Sequence, residues 1–314
     1  MFQYDPGVLA DKNGKVYLYT GFCPPEKSKK RFHLPKQTSA GAMVTELEAD
    51  MITIKKNPVV FVPSEEYADK TSFKGHAFFE AASMRKVNYN YYFIYSSEKE
   101  HELCYAKSDR PDKGFVYGGT IISNGDIGYK GRTEPLNYTG TNHGSIGCIN
   151  GQWYVFYHRQ TNGNPYSRQG CAEKIQIIPE GKIPQVEITS CGLNSGPLEG
   201  TGKYCAGIAC CLMSQSGTAE YKADQQISDS HPYITQVGAD REDNPKQYIA
   251  NMTSGAMAGF KYFNIKELKR ITVTTRGSDG ELQVLTDYSK KPCVSIRMIK
   301  SDNWIECSSE KFAD

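Results

Sequence analysis

The stretch GHAFFEAASMRKVNYNYYFIYSS, residues 75–97, places one carboxylate, Glu80, among aromatic and small residues. The aromatic run Tyr91–Tyr95 follows it and is typical of a β-strand. Burial of a carboxyl group favours its protonated form and raises its pKa, which a general acid working near neutral pH requires. The alternative interpretation is a carboxylate at a strand edge that pairs with Arg85 or Lys86.

The composition supports a folded core and excludes two classes of partner. The chain has 314 residues, of which 39% are hydrophobic and 11% aromatic, so we expect one large or two medium domains. The formal net charge of +2 predicts no nucleic-acid partner by bulk electrostatics. No apolar run is long enough to cross a bilayer, so no membrane partner is predicted.

The N-terminal residues have neither the basic start nor the apolar core of a signal peptide. The compartment is therefore left open, and an extracellular location is expected only if a longer chain carries a signal peptide upstream. The ten cysteines form no CxxC pair, which predicts buried free thiols.

One scheme of strand, turn and aromatic strand recurs before residue 195. It begins at Asp5, at Glu80 and at His143, and Asn13-Gly14 and Asn150-Gly151 supply two of its turns. The spacing is roughly 65 to 75 residues, wider than the ~40–50 of common propeller repeats, as long loops would produce. Repeated four-stranded sheets of this kind predict an all-β fold with a β-propeller, and a β-sandwich is the alternative. The basic segment 23–40 is predicted to be a loop.

The chain changes character after residue 195. Residues 196–224 are rich in Gly and small residues, which predicts a linker between domains. Residues 225–314 contain regular short strand-like runs with turn signals between them. This pattern predicts a second, antiparallel β-sandwich module of jelly-roll type.

Three motifs in combination resemble glycoside hydrolase family 43. Asp5 in YDPGVLADKNGKVYLYTGF is similar to that family's Asp-Pro motif. Glu80 in FFEAASMRKVNYNYYFIYSS resembles its acid motif, although Ala82 stands where Pro is usual, and His143 in NHGSIGCINGQWYVFYHR resembles its axial histidine motif. Arg168 falls where many members carry an arginine that contacts substrate. The resemblance covers about residues 1–195 and implies a five-bladed β-propeller glycosidase.

The resemblance also implies roles for these residues. Glu80 would be the general acid that protonates the leaving-group oxygen, and Asp5 would orient it and raise its pKa through like-charge repulsion. His143 would lie on the propeller axis near a calcium ion, which it would contact through water because calcium prefers oxygen ligands. No organic cofactor is implied. The open alternatives are a turn Asp for Asp5, a structural, backbone-bonded His143 and a surface salt bridge for Arg168.

An inverting glycosidase also needs a general base, ~6.5–9.5 Å from the acid with water between them. In the family the base is an Asp of the first blade, and no Asp of this chain has that context. Asp5 is disfavoured as the base because its turn and its distance to Glu80 along the chain fit the later motif. We therefore expect an internal portion of a longer enzyme, without the first blades and with the last module incomplete.

Residues 225–314 are similar to a carbohydrate-binding module of family 6. Such modules hold flat sugar faces with aromatic rings, and Trp304 and Tyr233 are the candidates here. The alternative is that Trp304 belongs to the core.

Two hypotheses about function follow. The first is an inverting glycosidase for plant hemicellulose, of the β-xylosidase or α-L-arabinofuranosidase type, acting on xylan, arabinoxylan or arabinan. The second is a catalytically incompetent fragment that keeps carbohydrate binding. The sequence leaves the choice between xylose and arabinose open.

Overall fold

The computed structural model describes residues 4–32, 40–221, 227, 230–239, 246–287 and 290–312. They form two compact units, one of Met1–Pro197 with Lys203–Tyr262 and one of Leu198–Gly202 with Phe263–Asp314. Strands dominate both units, so the all-β prediction is confirmed. No helix in these ranges is long and apolar enough to span a membrane.

The first sheet is an antiparallel meander of four strands, β1 (Gly7–Ala10), β2 (Val16–Thr20), β3 (Gly41–Leu47) and β4 (Ile54–Pro63). The expected turn joins β1 to β2, with Gly14 at a φ of 80°. One helix, α1 (Glu26–Phe32), lies between β2 and β3, where a loop was predicted. The prediction was wrong for Glu26–Phe32, because the Pro25 carbonyl accepts the amides of Ser28 and Lys29 and so opens a helical turn. Residues 33–39 of the predicted loop lie outside the described residues.

The second sheet is a four-stranded meander of β5 (Phe78–Val87), β6 (Asn90–Ser97), β7 (Glu102–Ser108) and β8 (Val116–Ser123). The predicted strand of Tyr91–Tyr95 is confirmed, and it pairs with β7 through Tyr95 with Cys104 and Phe93 with Ala106. This sheet carries Glu80 near the start of β5.

The third sheet consists of β9 (Ser145–Ile149), β10 (Gln152–Thr161) and β11 (Asn164–Ile175). The predicted Asn150-Gly151 turn joins β9 and β10, with φ angles of 49° and 82°. β11 folds back on β10 through the turn at Asn162-Gly163.

The apolar contacts follow the alternation of side chains along the strands. Phe93 and Tyr95 of β6 belong to a cluster with Tyr19 of the first sheet. Ile94, between them, belongs to a second cluster with Val155 of the third sheet. The second sheet is therefore covered on both faces, which accounts for the unbroken apolar run in β6.

The segment 203–262 packs as part of the first unit and supplies β13 (Cys211–Met213), β14 (Tyr233–Gln236), β15 (Gln247–Ala250) and β16 (Met257–Gly259). The Arg159 guanidinium donates to the carbonyls of Gly207 and Ala209, and Leu212 packs with Tyr138. The boundaries between the two units therefore differ from the predicted domain boundaries near residues 195 and 225. A Gly-rich composition does not prevent a segment from packing against the first unit.

The second unit contains β12 (Leu198–Glu199), β17 (Phe263–Asn264), β18 (Ile271–Gly277), β19 (Gly280–Val284), β20 (Val294–Met298) and β21 (Ser301–Ser309). The first two form a parallel pair, β18 pairs with β21, and β19 pairs with β20. Val294, Ile296 and Cys307 form its small core. A complete β-sandwich in this region stays a prediction.

Candidate active site

Glu80 lies next to a β-bulge in the pairing of β5 with β6. Glu80 pairs with Ser96, whereas Ala81 and Ala82 together lie opposite Tyr95 alone. Ala81 has a φ of 68°, a conformation that is uncommon for a residue other than glycine. Bulges of this kind occur next to active sites, where they redirect a side chain.

Burial raises the pKa of Glu80 to about 8, and the negative charges of Asp5 and Glu100 act in the same direction, while Arg168 opposes them. The alternative pairing with Arg85 or Lys86 was wrong. Arg85 donates to main-chain carbonyls, including that of Ile146 at 3.1 Å. Lys86 Nζ instead lies 2.7 Å from Oδ1 of Asp11.

Asp5 reaches the site because β1 lies directly against β5. A Cβ atom at Gly7 would lie 2.4 Å from the carbonyl oxygen of Ala82, so glycine alone allows this approach. Asp5 has a φ of 46°, and its Oδ2 lies 3.7 Å from Nδ1 of His143. The sequence-based grouping of Asp5, Glu80 and His143 is therefore one site in the structure.

His143 enters from the segment just before β9. A Cβ atom at the next residue, Gly144, would lie 1.9 Å from the carbonyl oxygen of Phe156, which fixes this segment against β10. The His143 side chain is 41% exposed. Burial lowers its pKa, the Asp5 carboxylate raises it and the Arg168 guanidinium lowers it.

Arg168 is exposed on β11 and lies opposite Gln160 of β10. Its positive charge lowers the pKa of Glu80 and of His143. The site thus combines a protonated carboxyl group, a carboxylate, an imidazole and a guanidinium, and a hydroxylated ligand could bond to each of them.

Sequence reasoning missed His158. Both of its ring nitrogens are buried and have no hydrogen-bond partner among the described residues. Burial and the neighbouring Arg168 and His143 lower its pKa to about 3, so it is neutral. His158 lies opposite Gly170, which offers no side chain. The strand WYVFYHR contained this residue, but only the register of β10 with β11 reveals its position.

Sequence reasoning also missed Glu100, which lies between β6 and β7. Its Oε1 accepts a hydrogen bond of 2.5 Å from the Ser28 hydroxyl, and its Oε2 lies 3.2 Å from Lys27 Nζ. Helix α1 therefore holds a second carboxylate that raises the pKa of Glu80. No local signal could predict this contact once α1 was taken as a loop.

Tyr233 and Trp304, both predicted for one module, belong to different units of the structure. Tyr233 is the first residue of β14 and belongs to the first unit, while Trp304 lies on β21 in the second. Trp304 is 40% exposed, so its placement in the core was wrong. The Arg276 guanidinium lies 4.9 Å from the centre of its ring.

The donor atoms near His143 do not fit direct calcium coordination, because two imidazoles and one carboxylate supply too few oxygens. Within the described ranges, the only group of three potential metal ligands is His76, Glu102 and Cys104. There, Glu102 accepts hydrogen bonds from Ser97 at 2.5 Å and from Thr120 at 3.0 Å. With His76 Nδ1 at 2.7 Å, both of its oxygens are occupied, as in a structural network.

Residues 1–183 match the family described as Glycosyl hydrolases family 43. The chain belongs to glycosyl hydrolase family 43. This family 43 chain is 47% identical over 313 residues to a protein named xylosidase/arabinosidase from Thermoclostridium stercorarium. That alignment covers 98% of this chain and 64% of the relative.

Two further comparisons cover a smaller share of the family 43 chain. A beta-xylosidase from Xylanibacter ruminicola is 30% identical over 199 residues, which are 59% of each chain. A crystal structure of a beta-xylosidase/alpha-arabinofuranosidase from a compost microbial metagenome, in complex with xylotriose, is 26% identical. It covers 59% of this chain and 58% of that one, with a TM-score of 0.46. The chain thus spans less than two thirds of the length of each of these relatives.

Proposed function

We propose that this chain supplies the general acid of a glycosidase that acts on β-xylosides or α-L-arabinofuranosides of plant hemicellulose. Family membership and the printed names of the relatives support the substrate class. The observation that carries the proposal is the Glu80 carboxyl group, with a pKa of about 8, beside the Asp5 carboxylate.

At neutral pH Glu80 holds a proton, which it transfers to the glycosidic oxygen as the bond to the anomeric carbon breaks. The leaving group then departs as a neutral alcohol. A water molecule attacks the anomeric carbon from the opposite face and loses its proton to the general base, so the configuration inverts. The general base remains the one predicted from the sequence, a carboxylate. The motifs around Asp5, Glu80 and His143 do not supply it.

Asp5 and Arg168 act on Glu80 in opposite directions. The Asp5 carboxylate disfavours a second negative charge and so keeps the proton on Glu80 before transfer. The Arg168 guanidinium stabilises the Glu80 carboxylate that remains after transfer. Arg168 and the part-exposed His143 can also donate hydrogen bonds to sugar hydroxyls.

The proposal also includes a calcium ion near His143 and a second, carbohydrate-binding module. His143 would contact a hydrated calcium ion through water, and no proton-transfer step depends on that ion. The second module would be a carbohydrate-binding β-sandwich similar to family 6, with xylan, arabinoxylan or arabinan as its ligand. The exposed ring of Trp304, with Arg276 beside it, supports this role.

The same exposed Trp304 favours the second candidate, a fragment that binds carbohydrate without turnover. The test is hydrolysis of aryl β-D-xyloside and aryl α-L-arabinofuranoside by this chain and by its Glu80→Gln variant. We expect the variant to lose activity by about 10²–10⁴-fold, the usual contribution of a general acid. Glu48→Gln is the matched control and should keep full activity, because the Glu48 side chain is 47% exposed and pairs with Lys55.

Equal and measurable hydrolysis by the Glu80→Gln and parent chains would contradict the assignment of the acid. Binding of xylotriose without turnover by the parent chain would select the second candidate, and a folded chain that neither binds nor hydrolyses would contradict both.

A further inference from the structure

Ser96 of β6 joins the strand of the acid to the segment that carries His143. The Ser96 hydroxyl donates a hydrogen bond to the carbonyl of Asn142, the residue before His143. In the second sheet, Ser96 lies opposite Glu80. Ser96 and Asn142 are both 0% exposed. One buried hydrogen bond therefore connects the neighbour of the acid in the sheet with the neighbour of the histidine in the chain.

The main chain of Asn142 also holds Glu100. The Asn142 amide donates to the Glu100 carbonyl at 2.9 Å. Glu100 is the second carboxylate that raises the pKa of Glu80. Both main-chain polar groups of Asn142 are thus bonded to the second sheet or its loops, the carbonyl to Ser96 and the amide to Glu100. A shift of Asn142 would displace Glu100 and His143 together.

The third sheet holds the same segment from the other side. Gln160 Nε2 of β10 donates to the Thr141 carbonyl at 2.9 Å, and Gln160 lies opposite Arg168 of β11. At Gly144 the segment lies against β10, where no side chain would fit. Residues 141–144 therefore lie between the sheet that carries the acid and the sheet that carries Arg168.

The side chain of Asn142 contributes less to this arrangement than its main chain does. Asn142 Nδ2 lies 3.5 Å from the His101 carbonyl and 3.5 Å from Asn124 Oδ1, which is long for a hydrogen bond. Asn142 Oδ1 and Asn124 Nδ2 are buried and have no partner in the part of the chain that the structure describes. The Ser96 hydroxyl is therefore the main contact between β6 and Asn142.

We propose that Ser96 is a positioning residue of the acid site, whose hydroxyl holds the main chain of Asn142 and thereby keeps Glu100 and His143 beside Glu80. This inference rests on the proposed function and adds a residue to its site. Without the hydroxyl, the Asn142 carbonyl would be buried with no donor, which is unfavourable. The segment should then move toward water and let water reach the Glu80 carboxyl group.

Such a movement should lower the pKa of Glu80. Burial contributes most to the raised pKa, the charges of Asp5 and Glu100 add to it, and Arg168 opposes them. Hydration of the carboxyl group and retreat of Glu100 both favour the ionised form. The Tyr4 phenol, whose own pKa is raised by Asp5 and Glu80, stays neutral in this range and adds no charge.

Carbon-13 NMR of chains labelled at the glutamate carboxyl carbons measures the ionisation of Glu80, whether or not the chain hydrolyses a substrate. The Glu80 signal is the one that the Glu80→Gln chain lacks. We expect Ser96→Ala to lower its titration midpoint by roughly half to one pH unit. In a chain that hydrolyses aryl glycosides, the pH at which kcat/KM falls should decrease by the same amount.

Ser97 provides the matched control. It follows Ser96 on β6 and is also 0% exposed, but its hydroxyl donates to Glu102 Oε1 at 2.5 Å. Ser97→Ala therefore removes an equally buried hydroxyl and should leave the midpoint of Glu80 unchanged. Ser96→Cys keeps a small side chain with a weaker donor, so its midpoint should lie between those of the parent and Ser96→Ala. It replaces Ser96→Ala in the comparison if that variant does not fold.

The inference is overturned if the Ser96 variants keep the midpoint of the parent, or if Ser97→Ala lowers it equally. A midpoint near 4.5 in the parent itself would overturn both this inference and the proposed acid. A raised midpoint that depends on Ser96, in a chain that hydrolyses no aryl glycoside, would support the positioning role and reject the hydrolytic function of this chain.

Discussion

At the scale of single residues, the chemistry depends on where the proton of Glu80 resides. Burial contributes most to its raised pKa, followed by the Asp5 carboxylate. The sequence predicted both contributions, because Glu80 stands among apolar residues and the Asp5 motif accompanies it. It could not predict Glu100, whose position depends on contacts with α1.

The raised pKa of Glu80 predicts how kcat/KM falls at alkaline pH, which is the alkaline limb of the pH profile. Because Glu80 must be protonated, kcat/KM should fall as the pH rises through about 8. Asp5→Asn removes a negative charge that raises this pKa, so the limb should move to lower pH. The profiles are measured with an aryl β-D-xyloside or aryl α-L-arabinofuranoside.

Arg168→Gln should change the pKa of Glu80 in the opposite direction, because it removes a positive charge that lowers this pKa. Its alkaline limb should move to higher pH. If the limb moves the same way in both variants, the charges of Asp5 and Arg168 do not control this proton.

The same group makes stability depend on pH. A carboxyl group whose pKa is raised by folding stabilises the fold fully below its unfolded pKa of 4.5, and that contribution is lost as the pH rises through about 8. Glu80→Gln cannot ionise, so its free energy of unfolding should exceed that of the parent by roughly 4 kcal/mol more at pH 9 than at pH 4.5.

Thermal denaturation of the two chains across this range measures the difference. Glu48→Gln, which removes a carboxylate that lies 3.5 Å from Lys55, is the control for the loss of a carboxylate elsewhere in the chain. A difference between Glu80→Gln and the parent that does not vary with pH would show that Glu80 has no raised pKa.

At the scale of elements, close backbone approaches bring the site residues together. Gly7 lets β1 lie against β5, and Gly144 lets the His143 segment lie against β10. A β-bulge follows the acid itself. Patterns of apolar residues predicted the strands that carry these features, but a bulge and an approach between strands far apart in sequence leave no local signal.

Gly7→Ala should therefore damage the site as well as the fold. The new Cβ would meet the Ala82 carbonyl oxygen at 2.4 Å, so β1 must shift away from β5. We expect a loss of about 1–3 kcal/mol in the free energy of unfolding, as in other overpacked sites, and an alkaline limb at lower pH because Asp5 retreats from Glu80.

Chemical denaturation and the pH profile test this variant. Gly196→Ala is the control, since a Cβ at Gly196 meets nothing within 4 Å. If Gly7→Ala and Gly196→Ala have the same free energy of unfolding, the close contact of β1 with β5 does not control the geometry of the site.

At the scale of the whole chain, the first unit extends beyond the residues that resemble the family. Lys261 Nζ lies 2.9 Å from carboxylate oxygens of both Asp126 and Glu187, and Cys210 donates its amide to the Gly259 carbonyl at 2.8 Å. The compositional change at residue 195 is real, but it does not mark the end of this packing. A Gly-rich composition indicates local flexibility of the backbone. A compact unit is defined by contacts between segments that are distant in sequence.

A truncation series checks this division. A chain that ends at residue 224 loses β14, β15, β16 and the Lys261 ion pairs, so its Tm should fall well below that of a chain that ends at residue 262. Circular dichroism during heating measures both. Equal midpoints would show that residues 225–262 add no stability to the first unit.

The acid site cannot be transferred to another protein as one short segment of sequence. The raised pKa of Glu80 depends on its burial, on Asp5 and on Glu100, which α1 holds in place, and Asp5 in turn lies 3.7 Å from His143. A chimaera that exchanged only the segment around Glu80 between two relatives would carry over the carboxyl group without the neighbours that hold its proton. Recombination that preserves the acidity has to keep the Asp5, Glu80 and Glu100 segments, with helix α1, from a single parent.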